Sequence, residues 1–206
     1  GVEARDRFTM NRRWRVRIKN GASSQPVLKD NTLFFGGNDG HFYAVDADLG
    51  TTKWKFETKA PVFSKATVYR DHVFFLASDD SLYCLEAATG KWTWHYRRTV
   101  TAPTTIRGNS TPLIDQDRVI TGFSDGYVVG LSEKDGNLLW ETRVQRASKF
   151  TDVDAEGVVD GKTIYMPSYD GGLYALSRDT GKVLWFTDVG GSKKVRSEEH
   201  TSELQS

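Results

Sequence analysis

The chain has 206 residues, 38% of them hydrophobic and 27% charged, with a formal net charge of +1, an ordinary globular composition long enough to bury a core. So balanced a charge excludes the strongly basic surface that nucleic-acid binding requires. A single cysteine, Cys84, excludes a disulfide framework or a zinc cluster, and no apolar run approaches the roughly 18 residues of a membrane-spanning helix.

In chain order, Arg12, Arg13, Arg15 and Arg17 interleave with Trp14, Val16 and Ile18, which reads as the solvated face of one strand. Trp14 closes a unit whose front is missing. The next unit predicts strands over 24–28, 32–36, 41–46 and 52–58. Turns fall at Lys29-Asp30-Asn31, at Asn38-Asp39-Gly40 and at Gly50, glycine supplying the positive φ that tight turns need. Within 41–46, Phe42, Ala44 and Asp46 share one side, and His41, Tyr43 and Val45 the other.

The stretch NDGHFYAVDADLGTTKW (38–54) returns as SDDSLYCLEAATGKWTW (78–94), SDGYVVGLSEKDGNLLW (124–140) and YDGGLYALSRDTGKVLW (169–185). Gly50, Gly90, Gly136 and Gly181 each stand four residues before a tryptophan: Trp54, Trp94, Trp140 and Trp185. Counting Trp14, the tryptophans are spaced by 40, 40, 46 and 45 residues. A period of about 40–45 with strand content is the signature of a four-stranded propeller blade. The predicted fold is therefore all-β, a partial β-propeller of four-stranded antiparallel blades, about four blades of a larger ring, with residues 1–195 forming one incomplete propeller domain. Each flat indole is expected to cover the seam to the next blade, burying on the order of 200 Å², with its N–H donated to a backbone carbonyl of the neighbour. Stability is then shared between adjacent blades. Trp92 falls outside the pattern and is expected at the surface or in a seam. Residues 196–206, RSEEHTSELQS, match the translation of a common sequencing adapter over their whole length. They are expected to be an artefactual or disordered tail, and the chain a fragment.

The units resemble the PQQ-like repeat, with DGGLYALSRDTGKVLW (170–185) nearest to its motif. Two insertions interrupt the repeats: TAPTTIRGNSTPLI (101–114) and SKFTDVDAEGVV (148–159). Arg107-Gly108-Asn109-Ser110-Thr111-Pro112 and Asp152-Val153-Asp154 within them resemble, in order and spacing, the BamB family of outer-membrane protein assembly factors. That resemblance implies a non-catalytic periplasmic scaffold, associated with the outer membrane through a lipid anchor that this fragment lacks. It also implies contact with the periplasmic domains of a BamA-like barrel-assembly protein.

The implied partner-binding residues are Thr104, Ile106, Arg107, Gly108, Asp152 and Asp154. Arg107 would meet a partner carboxylate in bidentate fashion, with Ile106 as the apolar anchor beside it. The family carries leucine where this chain has Thr104, which weakens that anchor. The loops at 101–112 and 148–157 are expected to lie side by side, and partner strands to add at exposed sheet edges. A structural reading stands beside this one: Arg107 bonding loop carbonyls, and Asp152 and Asp154 capping turns. A calcium site at the two carboxylates lacks the six to eight oxygens it needs.

Two other classes share such blades. One is a quinoprotein dehydrogenase carrying pyrroloquinoline quinone, many of which have a vicinal disulfide that the solitary Cys84 cannot form. The other is a sensor or ligand-binding propeller. His41, His72 and His95 each stand alone, and no nucleophile, phosphate or dinucleotide motif occurs. The expectation is no enzyme, no cofactor and no metal.

Overall fold

The computed structural model describes residues 1–98, 110–144, 153, 156–168 and 172–188. Among these residues all regular structure is β-strand, and the chain divides into two compact units, Gly1–Thr99 and Val100–Ser206.

The first unit begins with a hairpin, β1 (Val2–Arg5) and β2 (Arg12–Val16). A four-stranded antiparallel sheet follows: β3 (Val27–Lys29), β4 (Thr32–Gly36), β5 (His41–Asp46) and β6 (Thr52–Glu57). A second one comprises β7 (Thr67–Tyr69), β8 (His72–Ala77), β9 (Ser81–Glu86) and β10 (Trp92–Arg97). The second unit holds two more sheets of the same meander. They are β11 (Leu113–Asp115), β12 (Arg118–Gly122), β13 (Tyr127–Ser132) and β14 (Leu138–Arg143), then β15 (Val158–Asp160), β16 (Thr163–Pro167), β17 (Gly172–Ser177) and β18 (Val183–Asp188). These four sheets are propeller blades, as the repeat spacing predicts.

The first strand of the blade opens at Val27 rather than at residue 24. Ser24 instead ties down the end of β4, where its buried Oγ accepts from Gly36 N at 2.6 Å and faces the Gly36 carbonyl at 3.3 Å. Ser64 makes the same pair of bonds to Leu76, and Ser110 accepts from Gly122 N at 3.3 Å. In the sequence of the fourth copy the corresponding positions are Ala155 and Pro167, and proline has no N–H to be satisfied.

The middle strands β4 and β5 are buried on both faces, so their apolar residues are nearly continuous rather than alternating. Phe42 and Ala44 join Phe34, Val62, Val73, Phe75 and Leu85 in a core between the two sheets of the first unit, where the Phe42 and Phe75 rings stack at 3.8 Å. Tyr43 and Val45 point the other way, packing with Phe35 and Ile18 against Val2 and Val16. In the second unit Ile120, Val128, Trp140, Val153, Ile164, Met166 and Leu176 form the equivalent layer.

The N-terminal hairpin recovers part of the front that Trp14 was expected to lack. Aligned on tryptophan, residues 1–14 correspond to 41–54, and the hydrogen bonds repeat. Asp6 Oδ1 accepts from Phe8 N and Thr9 N as Asp46 Oδ1 does from Asp48 N and Leu49 N. These N–H donors, Thr9 for Asp6 and Leu49 for Asp46, lower both carboxyls below their ordinary range. Arg12, Arg13 and Arg15 are exposed around buried Trp14.

Candidate functional site

The seam that carries the repeat is built from two blades. The Trp14 indole lies against Gly50 of the following blade, where an added Cβ would come within 2.6 Å of the ring. Trp54 meets Gly90 in the same way, and Trp140 meets Gly181. Glycine is required there twice over, by this approach and by its left-handed φ. The indole N–H reaches the same turn: Trp14 Nε1 donates to the Ala47 carbonyl at 2.9 Å and Trp54 Nε1 to the Ala87 carbonyl at 3.0 Å. Gly136 has its positive φ like the others, Trp94 is buried, and Trp185 remains 45% exposed with no following sheet among the described residues.

A small residue stands ten positions before each tryptophan and directly across the ladder from it: Ala4, Ala44, Cys84, Gly130 and Ala175. A register shift accompanies this pairing in every sheet, and the slot lets the ring lie flat on its own strand pair. Sequence reasoning missed the rule, although the fixed offset of ten was open to it. Cys84 is thereby explained as the floor under Trp94, fully buried.

The six residues implied to bind a partner, Thr104, Ile106, Arg107, Gly108, Asp152 and Asp154, all lie outside the described residues. Their described neighbours converge. Ser110 is fully buried with its Oγ on Gly122 N. Val153, between the two carboxylates, is also fully buried, and its N–H donates to the Phe123 carbonyl at 3.3 Å. A Cβ on Gly122 would fall 2.3 Å from Val153 Cγ1, so only glycine admits the contact. The first unit shows the same clasp, with Val62 over Gly36 and Val62 N donating to the Gly37 carbonyl at 3.1 Å. The two insertions are thus fastened to one point at the end of β12.

Across the second unit, at the opposite ends of these strands, Arg178 Nε donates to Asp115 and its Nη1 to the Gly161 carbonyl at 3.2 Å. Arg118 Nη1 reaches Asp179 at 3.2 Å and the Arg178 carbonyl at 3.0 Å. These bonds lace two blades together and leave the four charges paired. Among the described residues no group of three or more His, Cys, Asp or Glu side chains is disposed to hold a metal ion.

The profile of the family described as outer membrane protein assembly factor BamB matches residues 1–202. An assembly factor BamB of Alteromonas naphthalenivorans is 33% identical over 178 residues, 83% of this chain and 42% of that protein. The crystal structure of BamB from Moraxella catarrhalis superposes with a TM-score of 0.78 at 24% identity, over 90% of this chain and 58% of that one. A quinohemoprotein alcohol dehydrogenase of Pseudomonas putida HK5 superposes at 0.68 with 15% identity, over 85% and 35% of the respective chains, a likeness of fold alone. This chain therefore spans well under two thirds of the length of such relatives.

Proposed function

The chain belongs to the BamB family of outer membrane protein assembly factors, and from that membership we propose that it is a non-catalytic scaffold of the β-barrel assembly machinery. In this reading it acts in the periplasm at the outer membrane, and it grips a BamA-like barrel-assembly protein with the segments around Arg107 and Asp152. The observation that carries the reading is the common anchorage of Ser110 and Val153 at Gly122. Arg107 is three residues from Ser110, a reach of at most about 11 Å, and Asp152 and Asp154 each adjoin Val153. These short sequence separations support the reading that the two segments contribute to one composite protein-binding edge. A planar Arg contact to a partner carboxylate beside an apolar side chain has the make-up of an interface hot spot.

Against the dehydrogenase reading, Cys84 is the one cysteine of these 206 residues, so they supply no vicinal cysteine pair.

The test is a pull-down of the periplasmic domains of the barrel-assembly protein by this chain. Arg107→Glu is expected to weaken capture at least tenfold while the β-type circular dichroism stays as it was. Thr104→Leu restores the apolar anchor of the family and is expected to tighten capture by up to about tenfold, on the order of 1.4 kcal/mol for a newly buried side chain. Capture unchanged by both substitutions would overturn the assignment of the interface.

A further inference from the structure

Trp92 is absorbed neither by the seam nor by the proposed interface. It stands two residues before Trp94, where the other copies carry Thr52, Leu138 and Val183. It is 51% exposed. Positions 92 and 95 on a regular strand would face opposite sides, but the register shift between Trp92 and Trp94 brings Trp92 round to His95, ring centroids 6.0 Å apart. His95 stacks in turn on Tyr83 at 6.0 Å and 23°, and Tyr83 on buried Phe75 at 5.4 Å and 18°. The exposed indole, tilted 53° against His95, is thus the outer member of a chain of ring contacts that begins in the core, a platform held in place by packing before anything lands on it.

The platform floors a cleft of about 420 Å³ in the first unit. Glu57 and Lys59 come from the end of β6 and the loop after it, and Asp79 and Arg97 face them from the second sheet, 3.6 Å apart. Among the described residues, the Glu57 and Lys59 side chains make no hydrogen bond or ion pair. The four charges are two of each sign. Such a lining exerts no net pull on an anion or a cation, yet it offers donors and acceptors side by side next to a flat apolar face. The ligand that matches is neutral, rich in hydroxyls, and apolar on one side.

We propose that this cleft binds a neutral saccharide, the C–H face of a pyranose ring lying on the Trp92 indole and its hydroxyls bonding Glu57, Lys59 and the Asp79–Arg97 pair. No covalent step is involved. The Trp92–His95 pairing is peculiar to one blade: the residues corresponding to His95 are Lys55, Glu141 and Phe186.

The experiment titrates the 206-residue chain with maltotriose, cellotriose and triacetylchitotriose, read by calorimetry and by saturation transfer from protein to sugar protons. At least one trisaccharide is expected to bind saturably, at least tenfold more weakly to Trp92→Ala, and with little change to Trp92→Tyr, which keeps a ring in place. Glu57→Ala with Lys59→Ala, two exposed positions whose loss leaves the fold intact, is expected to weaken binding severalfold by removing hydrogen bonds. Absence of saturable binding by all three sugars at about 10 mM overturns the proposal. So does binding equally strong in Trp92→Ala and in the double variant, and so does a cleft that takes a lysine-rich peptide but no sugar.

Discussion

Met10 occupies the place in the N-terminal hairpin that glycine fills in each complete copy. Its φ of 59° is left-handed, beside 69° at Gly50 and 72° at Gly90, and its N–H donates to Asp6 O as Gly50 N does to Asp46 O. An L side chain in that region costs roughly 1–2 kcal/mol, and Met10 is 60% exposed, so little packing offsets the cost. Met10→Gly is therefore expected to stabilise the first unit by about 1 kcal/mol after the extra backbone entropy of glycine is counted, raising its thermal midpoint by several degrees. A midpoint that falls would show that the Met10 side chain contributes more than its exposure indicates.

At the scale of the element, the blade is a device for presenting one indole. The small residue ten positions earlier makes the slot, the register shift sets the angle, and the turn of the next blade supplies glycine and carbonyl. Trp140 departs from this in one respect. Its slot residue is Gly130 rather than alanine or cysteine, with the Nε1 of Trp140 only 2.6 Å from where a Cβ would stand, and that buried N–H has no acceptor. The carbonyl corresponding to Ala47 and Ala87 belongs to Arg178, and Arg118 has taken it. Trp54→Phe should therefore cost about 1 kcal/mol more than Trp140→Phe, since only the first removes a made hydrogen bond. Urea midpoints of the two variants decide this, and equal losses would refute the account of Trp140.

At the scale of the molecule, blades within each unit are completed by the one after them, so a tryptophan is worth what its successor covers. Trp54 is packed on Phe34 and Phe42 and closed by Gly90. Trp185 touches Tyr165 but stays 45% exposed, next to exposed Val183 and Leu184. Trp54→Ala is expected to cost about 3–5 kcal/mol, whereas Trp185→Ala costs about 1 kcal/mol and, by shrinking an apolar patch, raises solubility. Denaturant titrations alongside sedimentation measure both. Comparable losses at the two positions would contradict stability by successive coverage.

Repeat length, the all-β class, strands 32–36 and 41–46 and the alternation of Phe42 against Tyr43 were legible in the chain, because a strand's faces alternate residue by residue and its turns demand glycine. The candidate partner-binding residues were legible only by resemblance, since a recognition loop obeys no period. Three things waited for tertiary structure. The glycine and the tryptophan of one motif serve different seams, because each meets its counterpart some forty residues away. Residues 1–5 belong to a hairpin, because Asp6 and Trp14 preserve its hydrogen bonds where the glycine signal is gone. Trp92 joins His95 on one face, because a bulge overrides the alternation that sequence periodicity presumes.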